Sequence, residues 1–123
     1  MAWQTQYLPD QEIILVKNSG KNTYQDFIDR TRELATLSEE TQVFRILSDN
    51  VEMDTAMGMI AIYELPKIYQ KVGLSIKNKI AVLISPEDTR IDSFTFYETV
   101  CLNRGYRSRI FFRYEDAINW LKG

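Results

Sequence analysis

Apolar positions in the first third of the chain change their period. From Trp3 to Leu8 they alternate, with Trp3, Thr5 and Tyr7 on one side and Gln4 and Gln6 on the other. Period two marks a half-exposed strand. Pro9-Asp10 then supplies a turn, since proline presets the backbone angle at the second turn position and aspartate suits the third. Glu12 to Lys17 (EIILVK) is more uniformly apolar, so the two runs read as a hairpin with the polar strand at a sheet edge. Asn18 to Asn22 reads as a loop. Beyond it the period becomes helical, placing Tyr24, Phe27, Ile28, Thr31, Leu34 and Ala35 on one face. Thr23 is the expected cap, and Asp26 is a shorter relative of the capping-box acid.

The same alternation recurs downstream. Val43 to Leu47 (VFRIL) predicts a short strand, Ser48-Asp49-Asn50 a turn and Asp54 a helix N-cap. Met57, Ile60, Ala61, Leu65, Ile68 and Val72 keep helical spacing as far as Gly73, a C-terminal stop. Pro66 interrupts them and predicts a kink or a split, because proline removes a helical hydrogen bond. Lys79 to Ile84 (KIAVLI) is apolar on both faces and predicts a buried strand. Ile91, Phe94, Tyr97 and Cys101 align on a third helix, closed by Asn103-Arg104-Gly105. Ser108 to Phe112 predicts a last strand, which the arginines at 107 and 109 on one face assign to a sheet edge. Ala117, Ile118 and Leu121 predict a final helix. The fold class is therefore α/β: an N-terminal β-hairpin followed by repeated β-α units, giving a mainly parallel sheet of four or five strands with an antiparallel edge strand. Without a repeat or linker, residues 1–123 are expected to form a single domain.

Charge changes this picture little. The net charge is −2, too near balance for a general nucleic-acid binder. Residues 1–60 carry 5 Lys/Arg against 10 Asp/Glu, while residues 61–123 carry 10 against 7, an asymmetry able to orient the molecule toward a partner. Arg104, Arg107, Arg109 and Arg113 with Tyr106 offer a base-stacking strip, but the helix-to-edge-strand joint accounts for them more simply. The single cysteine, the lack of a signal-peptide pattern and the shortness of every apolar run point to a cytoplasmic protein without a membrane span.

The stretch FYETVCLNRGYRSRIFFRYEDAINWL, with its helix, Asn-Arg-Gly turn, short strand and closing Ala-x-x-x-Leu helix, resembles the C-terminal half of bacterial STAS-like proteins, relatives of sulfate-transporter and anti-sigma-factor-antagonist domains. Where such proteins often open the last helix with Asp or Thr, this chain has Arg113. The resemblance implies a STAS-like fold and a regulatory, protein-binding role. Some members carry Asp-Ser-Ser-Gly or a close variant at the start of the second main helix, with its first serine as the phosphorylation switch. Asp54-Thr55 resembles that Asp-Ser pair, though Gly58 falls one residue later than in the motif. The resemblance thus implies a switch or interaction surface at Asp49, Asp54, Thr55 and Gly58. STAS domains are also similar in chain path to CRAL-TRIO lipid-transfer domains. With Met53, Met57, Met59, Tyr63 and Tyr69 clustered near the second helix, this implies as an alternative a pocket for a small apolar ligand, or a dimer contact, at Met57, Met59, Tyr63 and Tyr69.

No catalytic constellation accompanies these features. The chain has no histidine, and its single cysteine is expected in the core, so the common general base and the usual zinc cluster are missing. Neither a Gly-rich phosphate loop nor a nucleophile elbow occurs. Asp49 and Asp54 read as turn and cap residues rather than as an acid–base pair. The expectation is a non-catalytic module with no cofactor and no metal. Trp3, Tyr7 and the Met-Tyr surface of the second helix suggest that it forms a homodimer.

Overall fold

The computed structural model describes residues 2–55 and 58–123, with the side chains of all of these except Met59 and Ile60. Its elements are β1 (Trp3–Leu8), β2 (Ile13–Gly20), α1 (Tyr24–Thr41), β3 (Arg45–Met53), α2 (Met59–Val72), β4 (Lys79–Leu83), α3 (Ile91–Asn103), β5 (Arg107–Phe111) and α4 (Tyr114–Lys122). The strands form one sheet in the order β1-β2-β3-β4-β5. β1 pairs antiparallel with β2, and the other neighbours are parallel. This is the sheet the periodicity predicts, and β5 lies at its edge.

Strand order equal to chain order means that every crossover steps the same way, and crossovers of one hand then put their helices on one face. Ile14, Val16, Ile46 and Val82 accordingly pack with Phe27 and Leu34 of α1, Leu65 of α2 and Tyr97 of α3. The alternate residues Ile13, Leu47, Ala81 and Leu83 face the other way, where α4 covers them with Ala117 and Leu121. At the free edge, the Ile110 N–H of β5 donates to Glu98 Oε2 of α3 at 2.7 Å. The α4 carboxyl end is tied by Lys79, whose Nζ donates to the carbonyls of Trp120 and Gly123 at 2.9 Å each.

Helix ends follow sequence chemistry in most places. Thr23 and Asp26 form a reciprocal capping box on α1. Gly73 adopts the left-handed conformation at the end of α2, as does Gly105 just past the end of α3. Arg113 opens α4 without a side-chain cap bond.

Five expectations are corrected. β2 and β3 run on through Asn18-Ser19-Gly20 and Ser48-Asp49-Asn50, read above as loop and turn, because these polar side chains satisfy one another across the strands. Asp54 does not cap α2: Gly58 does, and its carbonyl accepts from the Ile62 N–H at 3.1 Å. Pro66 does not split α2, which continues through it with the ring fully buried. Trp3 is not an exposed apolar residue: its ring is 9% exposed and its Nε1 donates to Glu33 Oε2 at 2.9 Å. Tyr24, expected on the buried face of α1, is exposed.

Candidate functional site

Between the sheet and its three crossover helices lies a cavity of about 90 Å3. Its deep wall is aliphatic: Ile46, Ile80 and Val82 rise from the sheet, and Leu34, Leu65 and Leu74 close over them. Toward the carboxyl ends of β2 and β3 the lining turns polar, with Ser48, Asn50, Thr55, Arg30 and Arg90.

The polar end is built on a register shift. Lys17 pairs with Asp49 but Ser19 pairs with Glu52, so β3 holds one extra residue opposite Asn18. Asn18 is 0% exposed and joins the strands by side-chain bonds, Nδ2 donating to Asn50 Oδ1 at 2.7 Å and Ser48 Oγ at 3.2 Å. That fixes its Oδ1 toward α1, where it accepts from Arg30 Nη1 at 2.7 Å. Nη1 also donates to Asn22 Oδ1 at 3.0 Å, and the guanidinium lies 4.3 Å from the Phe27 ring centre. Burial lowers the pKa of Arg30, opposed chiefly by its proximity to Tyr69 and Tyr97.

Arg90, in the β4–α3 connection, clasps the same end from the other side. It forms a bidentate pair with Asp88, Nε to Oδ1 at 2.9 Å and Nη2 to Oδ2 at 2.7 Å. Its Nη1 donates to the Thr55 carbonyl at 2.9 Å. The hydrogen bonds from Arg90 hold the Asp88 carboxyl below its ordinary range. Tyr69 and Tyr97 line the cavity with their hydroxyls 2.7 Å apart, and burial raises the pKa of both phenols. Nearby, Cys101 is fully buried and its thiol is pushed up to about 12 by desolvation.

Met53, Thr55 and Tyr69, of the residues singled out in the sequence, line this cavity. Thr55 Oγ1 accepts from the Asn22 N–H at 2.7 Å; it stands before the Gly58 cap and so outside the first turn of α2, where it was expected. Asp49 lies within β3, on the opposite side of the strand from Ser48 by alternation, and accepts from the Val51 N–H at 3.1 Å. Asp54 is exposed, and its N–H donates to the Gly20 carbonyl at 2.7 Å. Tyr63 is exposed on α2. Met57 and the Met59 side chain lie outside the described residues. Tyr106 is buried with its hydroxyl donating to the Leu74 carbonyl at 2.7 Å, so it is not available to stack on a base. Arg30, Asn18, Asn22 and the Asp88–Arg90 pair did not stand out in the sequence. Arg30 had left one signal: at position i+3 from Phe27 and i−4 from Leu34, it is a charge on the buried face of α1.

Among the described residues no group of three His, Cys, Asp or Glu side chains is placed to hold a metal ion, and no helix is long and apolar enough to cross a membrane. No protein-family model matches the chain, and no curated protein matches it significantly. Solved structures do. The anti-sigma factor antagonist SpoIIAA in its unphosphorylated form is similar with a TM-score of 0.54 and 17% identity, over 99% of each chain. An uncharacterized DUF3478-family protein from Shewanella loihica PV-4 is similar with a TM-score of 0.57 and 21% identity, over 98% of this chain and 92% of its own. The STAS-like resemblance thus holds at the level of the fold, over nearly the whole chain: the protein has a SpoIIAA-like fold.

Proposed function

We propose that this protein is a non-catalytic regulatory module that acts by binding a protein partner at the end of the sheet where β3 leads toward α2. The observation that carries the reading is the likeness, from end to end, to a protein named as an anti-sigma factor antagonist. The surface itself supports it: Val51, Glu52 and Asp54 are exposed beyond the β2–β3 bulge, and Tyr63 on α2 is 47% exposed. Thr55 is the proposed modification site there. A phosphate on it would displace the Asn22 N–H contact and add negative charge beside Arg90, whose Nη1 holds the Thr55 carbonyl. Self-association belongs to the same reading, now resting on Tyr63 and Leu102 rather than on Trp3. A reducing, cytoplasmic setting suits the single buried cysteine.

The test is site-specific crosslinking in the source cells, with a photoreactive residue at Val51 or Tyr63 and a control at the exposed Thr36 of α1. A discrete protein adduct from positions 51 and 63 alone is the expected result. Equal adducts from the control, or none anywhere, would defeat the proposal.

A second reading, a holder of a small apolar molecule, is favoured by one specific observation: the aliphatic cavity beneath α1, α2 and α3. Native mass spectrometry of protein purified from its source should then show an added mass that disappears on denaturation.

A further inference from the structure

Arg30 is 9% exposed and borders an apolar cavity, yet no carboxylate lies within ion-pair distance of it among the described residues. None of the residues outside the description is acidic. Asp26, one turn before it on the same helix, is committed to the capping box, where Oδ2 accepts from the Thr23 N–H at 2.8 Å. Asp29 pairs with Arg32 and Glu33 accepts from Trp3, so neither serves Arg30. The other cation of the cavity, Arg90, already has Asp88. The lining therefore carries one positive charge in excess.

The hydrogen bonds divide the guanidinium in two. Nη1 is saturated by Asn18 and Asn22, whereas Nη2 and Nε have no acceptor among the described residues. Ser108 Oγ is the walled-in polar side-chain atom without a partner among those residues. Arg30 itself is among the residues that line the cavity. Burying a charge without a partner is costly, and an arginine held by neutral amides on one edge presents its other edge as a fork for a carboxylate.

We propose that the cavity binds a small carboxylate with an apolar tail, the carboxylate paired with Arg30 and the tail lying against Leu34, Leu65 and Ile80. This deepens the second reading above and rests on it. The excess of a single positive charge selects a monoanion. The aliphatic wall selects a hydrocarbon tail over a sugar or a second charged group. The size bounds the tail: with roughly 30 Å3 per water-sized group, the cavity takes about three or four carbons.

The probe is pentanoate, titrated into the folded protein and followed by amide spectra and by the Arg30 Nε–H resonance. 1-Pentanol and pentylamine serve as neutral and cationic counterparts of the same shape. Pentanoate should shift Arg30 Nε–H together with Leu65 and Ile80, and bind at least tenfold more tightly than pentanol. Pentylamine should not bind. Arg30→Met should lose that preference; it also leaves the Asn18 and Asn22 side-chain oxygens without their donor, so the comparison is made on variant protein shown to be folded by its amide spectrum. Should Arg30→Met fail to fold, the Arg30 Nε–H shift in the wild type decides alone. Pentanol binding as tightly as pentanoate would overturn the carboxylate proposal and leave the apolar-ligand reading standing. Absence of binding by both would sink the two together. Pentanoate held equally well by folded Arg30→Met would place the acid elsewhere and overturn the proposal.

Discussion

Asn18 shows how a single side chain links two strands and a helix. Its amide nitrogen closes onto Asn50 and Ser48 of β3, and its oxygen closes onto Arg30 of α1. Asn18→Ala leaves acceptors and a guanidinium edge unsatisfied at once, for a cost of about 2–3 kcal/mol, readable as a lowered urea midpoint. Cys101 shows the effect of burial alone. With its thiol pushed up to about 12, the folded protein should resist alkylation at pH 8 and react only when unfolded. The same shift has a sign in stability. Above pH of about 9 the unfolded chain loses the thiol proton that the folded chain retains, so stability falls as pH rises toward 12. The raised phenols of Tyr69 and Tyr97 act in the same direction. Asp88, whose pKa is lowered by Arg90, contributes stability at neutral pH that is lost as pH falls through its folded value. Thermal melts between pH 8 and 11 should therefore show a steady decline, and one that steepens in acid should be softened in Asp88→Asn.

Elements follow sequence most closely where one local rule governs them. The α1 capping box, the glycine at 105 and the edge position of β5 were all legible, because cap chemistry, the left-handed backbone and facing arginines each act within a few residues. Gly105→Ala has open space around it but must hold φ near +86°, so it should lower stability by about 1 kcal/mol in denaturant unfolding. Where the strand ends were misread, the deciding contacts are distant in sequence. Ser48-Asp49-Asn50 looks like a turn on propensity, but Asn50 bonds to Asn18 32 positions earlier. Asp54 looks like a cap, but its N–H is engaged by the Gly20 carbonyl and the helix starts later. The candidate site suffered more than the fold for the same reason. Thr55 and Tyr69 could be picked from sequence, whereas the Arg30 network depends on three elements meeting.

At the scale of the molecule, the uniform direction of the crossovers gives the sheet two unequal faces. One is roofed by α1, α2 and α3, and the cavity lies there; the other is covered by α4 alone. Ala117 and Leu121 are its buried contacts, and Leu121→Ala should cost about 2–5 kcal/mol with increased dye binding to exposed apolar surface. This asymmetry has a consequence in time. A ribosome delivers the chain from its N-terminus, so Ile13, Leu47, Ala81 and Leu83 emerge before the helix that shields them exists. The roofed face can assemble strand by strand as each unit leaves the exit tunnel, while its reverse side stays greasy until residues 114–122 follow. A nascent chain stalled short of that helix should therefore be a client for chaperones that recognise bare hydrocarbon, and one released beyond it should not.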